Sequence, residues 1–206
     1  AGGRLRDALL LGFYVIFHPF NGYWALKGEK RGGVRSATIL LALACLTQAI
    51  AAAASGFLSG DEEASVGSGV LNLLAPLLLW CIANTCFTSL MDGKGSFRDV
   101  YVAVGTSTLP VTLLVLPCTV VSHFLILEEL PILAMVTNVA YIWMAALIFF
   151  SMITVHDYTL GKNVLVSILT VLGMAFILFL LFIFVSLIGR MISLVSAVGT
   201  ELSLRT

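Results

Sequence analysis

The chain has 206 residues, of which 60% are hydrophobic and only 11% are charged, and its 11 basic and 11 acidic side chains balance to a net charge of zero. A soluble domain of this size exposes too much surface to be covered by so few charges, so the composition predicts an integral membrane protein. The zero net charge also argues against nucleic acid as a partner.

The first segment, residues 5–20, predicts an amphipathic helix that lies on the membrane surface. Its uninterrupted apolar stretch, 8–17, is shorter than the roughly 20 residues that a crossing helix needs. The helix should end near His18 and Pro19, because proline disfavours the helical conformation for the residue before it. The alternative is a half-helix that dips into the helix bundle.

Five later segments contain no Asp, Glu, Lys or Arg and are long enough to cross a hydrocarbon core of about 30 Å as helices. Lipid offers no partners to open backbone groups, and no strand-like alternation is sustained enough to predict a barrel. The segments are residues 36–58, 70–91, 101–127, 132–155 and 164–189.

The sequence therefore predicts an all-α polytopic membrane protein of three parts. A cytoplasmic interfacial helix and basic linker occupy 1–35, a five-helix transmembrane domain occupies 36–190, and an extracytoplasmic tail occupies 191–206.

Basic residues concentrate on one side of the predicted spans. That side carries Arg4, Arg6, Lys27, Lys30, Arg31, Arg35, Lys94, Arg98 and Lys162, whereas Arg190 and Arg205 fall on the other. Positive residues favour the cytoplasmic side, so we expect a cytoplasmic N-terminus and a C-terminus outside. In a bacterial cell, the corresponding membrane is the plasma membrane.

The spans offer little to a reaction mechanism. They lack the ionisable groups that mark catalysis or ion coupling inside a membrane, apart from His123, thiols and tyrosines. The four cysteines have no C-x-x-C spacing, so we interpret them as small buried hydrophobes and not as zinc ligands. The sequence thus predicts no catalytic residue, no metal site and no cofactor, and a protein that is not an enzyme.

Two prolines in the third span, Pro110 and Pro117, each remove a backbone hydrogen bond and favour a kink. With the neutral polar residues Asn84, Thr85 and Thr106 they are candidates to line a cavity, as in a small permease, channel or lipid transporter. The alternative is an ordinary bent helix, with polar side chains that bond neighbouring helices at about 1 kcal/mol each.

The basic residues near the first and second spans are candidate contacts to a partner or to anionic lipid. A basic residue beside an anionic leaflet gains roughly 1 kcal/mol. The alternative is that they only set the topology. The candidates are Lys27, Lys30, Arg31, Arg35, Lys94 and Arg98.

Three stretches of the sequence carry a family resemblance. They are HPFNGYW at 18–24 with KGEKRGG at 27–33, GKGSFRDV at 93–100, and GTSTLP at 105–110. They resemble the Yip domain family, and suit its bacterial members best, over about residues 11–187. In that family a glycine-rich cytoplasmic turn joins the second and third spans.

The resemblance implies a five-span protein with a cytoplasmic N-terminus and no catalytic residues. It implies a membrane scaffold or accessory protein that assists transport or trafficking, in contact with membrane lipids and with a membrane-protein partner or a second copy. Eukaryotic members of the family are Golgi and endoplasmic reticulum proteins that associate with Rab GTPases.

Overall fold

The computed structural model describes residue 10 and residues 12–28, 33–59, 66–125 and 129–204. Arg4, Arg6, Lys30 and Arg31 lie outside these ranges. Residues 12–17 are helical. The helices that follow are α1 (Pro19–Gly28), α2 (Val34–Ser59), α3 (Val66–Leu90), α4 (Phe97–Ser107), α5 (Leu109–Ser122), α6 (Leu130–His156) and α7 (Leu160–Leu204).

Within the described ranges, five helical segments are long and apolar enough to cross a membrane, which confirms the predicted all-α, five-span class. Each agrees with a predicted segment, although the last extends further. The segments are Val34–Ala54, Val66–Leu90, Phe97–Ser122, Pro131–His156 and Leu160–Ala197.

The third span consists of two helices, α4 and α5, that meet at Thr108. Pro110 lies in the first turn of α5, where its missing N–H costs nothing within that helix. The hydroxyls of Thr106 and Ser107 donate to the carbonyls of Val102 and Ala103 in the preceding turn. The break thus follows from the proline, and hydroxyl groups bond the backbone beside it.

The third span is also the centre of the bundle, because it is the most buried of the five. It approaches α2 closely at Gly105, where an added Cβ would lie 2.9 Å from both the Cβ and the carbonyl oxygen of Ala37. Small residues at such a crossing let two helix backbones meet, which is how membrane helices gain packing contact.

The N-terminal segment packs along the bundle. Val15, Tyr23 and Leu26 are buried, and a Cβ at Gly12 would lie 2.7 Å from the side chain of Leu109. Leu109 lies about 18 Å along the third span from its start, at 1.5 Å per helical residue. The N-terminal segment therefore contacts the third span as far along as Leu109.

The other face of the N-terminal segment is aromatic and exposed. Phe13, Phe17, Phe20 and Trp24 have between 42% and 76% of their surface accessible. Such side chains suit a lipid or headgroup environment. The segment therefore turns Val15, Tyr23 and Leu26 to the bundle and leaves these four aromatic rings outside.

Helix α7 is much longer than the other spans. Its 45 residues extend about 68 Å, against about 30 Å of hydrocarbon. It runs unbroken through residue 191, where the predicted tail begins, and residues 178–197 are exposed on every side.

Candidate functional site

Three segments that are distant in sequence meet at one end of the bundle. They are Lys27 at the end of α1, residues 91–96 between α3 and α4, and residues 156–159 between α6 and α7. We call this assembly the basic corner. Its centre is Asp157, whose carboxylate lies 3.1 Å from the ammonium of Lys27 and 3.4 Å from that of Lys94.

Lys27 holds α1 to the end of α6 by two contacts. Besides Asp157, its ammonium donates to the carbonyl of Thr154 at 3.1 Å. Hydrogen bonding and charge from Lys27, with a smaller contribution from Lys94, lower the pKa of Asp157. A lowered pKa means that this stabilisation is present at neutral pH and disappears only as the pH falls below the ordinary value of 3.8.

Two aspartates end helices at the basic corner in the same way. Asp92 after α3 and Asp157 after α6 have left-handed backbones, with φ of 54° and 53°. In each case the next N–H bonds back into the last turn, from Gly93 to Thr88 and from Tyr158 to Ile153.

This helix ending normally selects glycine, and a negative side chain there opposes the helix dipole. At Asp157 the two lysines offset that cost. The acid is therefore explained by the ion pairs that it makes, and not by helix termination.

The glycines of the 91–96 loop leave no space for a side chain. A Cβ at Gly93 would lie 2.7 Å from Nδ1 of His156 and 2.8 Å from the hydroxyl of Tyr158. The N–H of Gly95 donates to the same Nδ1 at 3.3 Å, and the Tyr158 hydroxyl donates to the carbonyl of Met91 at 3.0 Å. The glycine-rich loop is thus shaped by the buried imidazole and phenol that it covers.

Tyr23 joins α1 to the third span. Its hydroxyl lies 2.5 Å from that of Ser107, and both residues are buried. The single hydroxyl hydrogen of Ser107 is donated to the carbonyl of Ala103 at 2.8 Å. Tyr23 is therefore the donor in the pair, and Ser107 is its acceptor.

A cavity of about 90 Å³ lies between α1 and the start of α4, with room for about three water molecules. Its lining includes Tyr23, Lys27, Arg98 and Asp99. The backbone N–H and the hydroxyl of Ser96 both donate to the carboxylate of Asp99, at 3.0 and 2.7 Å, so this acid caps α4.

Lys27 and Lys94 belong to the basic corner, Arg98 lines the adjoining cavity together with Lys27, and Arg35 lies in the first turn of α2. Arg35, Lys94 and Arg98 are exposed, and within the described ranges neither arginine forms an ion pair. Lys30 and Arg31 belong to the undescribed part of the chain. Lys162, which the sequence used only for orientation, lies over the ring of Tyr158 at 4.6 Å.

Sequence reasoning missed Asp157 as the partner of the two lysines. This acid lies in the polar run 156–158 that joins the fourth span to the fifth. Its position between two spans, on the same side as the glycine-rich loop, was the available signal.

The five candidate cavity residues lie outside a second cavity of the bundle. Asn84 is buried and donates to Thr170 at 3.3 Å, and the Thr85 hydroxyl donates to the carbonyl of Cys81. Thr106 bonds its own helix, while Pro110 and Pro117 belong to α5. A cavity of about 390 Å³ lies instead between α3, α6 and α7, and none of the five lines it.

These features define a class: a multi-pass helical membrane protein whose glycine-rich loop is closed by ion pairs at one end of the bundle. The family model described as the Yip1 domain matches residues 13–198, so the chain belongs to the Yip1 domain family. No curated protein and no solved structure was found to match the chain.

The motifs that carried the resemblance now have physical roles. In the first, Gly22 lies against Val15, where a Cβ would be 2.9 Å from the Val15 Cα, and Tyr23 bonds Ser107 in the third motif. In the second, Gly93 and Gly95 pack on the turn after α6. The motifs are thus joined to one another in space.

Proposed function

We propose that the chain is a non-enzymatic membrane scaffold or accessory protein whose basic corner docks an acidic segment of a membrane-protein partner. The observation that carries this proposal is that Lys94 and Arg98 are exposed on and beside the glycine-rich loop, which is held in one shape, while Arg35 adds an exposed cation at the start of α2. Lys27 is engaged by both Asp157 and Thr154, so it organises the corner. Lys94 pairs with the same carboxylate but keeps 70% of its side chain exposed, so Lys94 and the two arginines are the cations offered to a partner.

The proposed orientation has the basic corner in the cytoplasm and the end of α7 outside. It is supported by Lys27, Arg35, Lys94, Arg98 and Lys162, which the positive-inside rule assigns to the cytoplasmic side. Basic residues on short loops beside a span are those that set topology most strongly.

The proposal includes no reaction. The Yip1 domain family is not known as a family of enzymes. Docking through charge needs no catalytic acid, catalytic base or metal. Complementary electrostatic potentials make the association of the two partners faster and more selective. A role in membrane transport or trafficking would then belong to the partner that this protein recruits or positions.

The test replaces Arg35, Lys94 and Arg98 together by glutamine and compares the variant with Arg190→Gln, which alters a basic residue at the far part of α7. Each protein is purified from native membranes by affinity capture, and co-purifying proteins and lipids are quantified by mass spectrometry. We expect the triple variant to lose a membrane-protein partner that both wild type and Arg190→Gln retain.

Equal recovery of all protein partners by the three forms would overturn the proposal. If only anionic lipid is lost from the triple variant, the corner binds headgroups and the docking proposal is equally overturned. Thermal unfolding of each form checks that the comparison is made between folded proteins.

A further inference from the structure

A second cavity lies between α3, α6 and α7 and has a volume of about 390 Å³. It falls in the range of roughly 300–1,000 Å³ that small-molecule sites occupy. Its wall is mainly aliphatic and aromatic. Trp80, Met144, Phe149 and Met174 contribute to it, and Asn72 and Tyr141 are its polar members.

The cavity lies in the middle depth of the bundle. At 1.5 Å per residue, Pro76 and Met174 are each about 21 Å along their helices from the basic corner, and Phe149 is about 10 Å from it. Asn72 lies about 27 Å from the same end and so sits near the opposite boundary of a hydrocarbon core of about 30 Å.

The cavity is continuous with the lipid-facing surface. Asn72, Pro76 and Ala145 line it and are also exposed on the outside of the bundle. Leu71 and Ile142, next to these positions, are 61% and 69% exposed. In a protein that spans the bilayer, such a surface is covered by lipid chains, so the cavity is open to them from the side.

The mouth of the cavity near Asn72 is polar. Pro76 has no N–H to donate to the carbonyl four residues earlier, so the Asn72 carbonyl lacks its usual helical donor. The Asn72 amide supplies a donor at the same level. The deeper wall offers too few polar partners to hold water well, because a buried water needs two to four of them.

We propose that this cavity is a binding site for one acyl chain of a bilayer lipid, with the lipid ester beside Asn72 and the chain directed towards Phe149. The Asn72 amide donates to the ester carbonyl, and the chain covers the indole of Trp80, about 12 Å further along α3. The proposal needs the five-span fold but does not depend on the docking of a partner at the basic corner.

The test uses Trp80 as the reporter, with Trp24 and Trp143 replaced by phenylalanine. The protein in detergent is titrated with phosphatidylcholine that carries bromine on its acyl chain, and quenching of fluorescence is followed. We expect saturation at one lipid per chain. Bromine at mid-chain should quench more than bromine near the ester, because the ester is held at Asn72.

Two matched variants on α6 locate the site. Ala145→Phe places a ring in the cavity, whereas Ala134→Phe places the same ring at an exposed position outside its lining. We expect Ala145→Phe to raise the lipid concentration at half-saturation by about tenfold and Ala134→Phe to leave it within about twofold of wild type.

The proposal would be overturned if, in the protein with an unaltered cavity, quenching rises without saturation. Stronger quenching by bromine near the ester than by bromine at mid-chain would overturn it too. Equal half-saturation in the two alanine variants would overturn it as well. The comparison of quenching between the two bromine positions uses a protein with no substitution in the cavity wall. It therefore tests the binding of the acyl chain even where Ala145→Phe does not fold.

Discussion

Replacing Gly95 by alanine is expected to lower the free energy of unfolding by about 1–3 kcal/mol, the usual cost of forcing a methyl group into a packed site. The new Cβ would overlap a methyl group of Val155 and lie 3.0 Å from Cε1 of His156. Both neighbours are buried, so neither can move into solvent. The backbone of Gly95 is not left-handed, so the loss is purely steric.

The matched control is Gly161→Ala, where an added Cβ meets no atom within 4 Å. Alanine should be neutral there or stabilise α7 by up to about 1 kcal/mol. Thermal unfolding in detergent, followed by tryptophan fluorescence, compares the two variants with wild type. A Gly95→Ala protein as stable as Gly161→Ala would show that the loop does not lie against the turn after α6.

Replacing Ser107 by alanine is expected to destabilise the protein by about 1–3 kcal/mol, because it leaves the buried hydroxyl of Tyr23 without an acceptor. Replacing Tyr23 by phenylalanine should cost less, since Ser107 keeps its own bond to Ala103 and loses only one acceptor contact. The asymmetry follows from the direction of the hydrogen bond and not from its length.

The double variant Tyr23→Phe/Ser107→Ala should be more stable than Ser107→Ala alone, because removing both partners leaves no unsatisfied donor. The free energy of unfolding is measured in increasing amounts of a denaturing detergent for the wild type, the two single variants and the double variant. These four values complete a double-mutant cycle. Equal losses of unfolding free energy in the two single variants, with the loss in the double variant equal to their sum, would contradict Tyr23 as the donor.

The spans were predictable because each is long, uncharged and bounded by short polar loops, and the bilayer allows few other folds for such a pattern. The break at Thr108 was also foreseeable, since Pro110 follows three hydroxyl residues. Sequence alone could not tell that Pro76 lies at a lipid-facing cavity, because that depends on how α3 sits against α6 and α7.

The candidate site was only partly predictable. Charge counting found Lys27 and Lys94, but it could not pair them, because which loop charges meet depends on how the helix ends are arranged. The N-terminal segment illustrates the same limit. Its buried side is formed by Gly12, Val15 and Tyr23, and which residues of such a uniformly apolar stretch turn inward is decided by the bundle against which it packs.

The basic corner is assembled around Asp157, which joins three distant segments of the chain. A carbodiimide joins a carboxylate to an amine only when the two are in contact, so it reports this arrangement in the unmodified protein. The structure places Asp157 at 3.1 Å from Lys27 and 3.4 Å from Lys94.

Protein in lipid nanodiscs is treated with the carbodiimide, digested and examined by mass spectrometry, with Lys27→Gln as the control. We predict an amide between Lys27 and Asp157 in the wild type, and a link from Asp157 to Lys94 alone in the control. If Asp157 instead couples only to a small amine added to the solution while both lysines stay unlinked, the three segments do not meet.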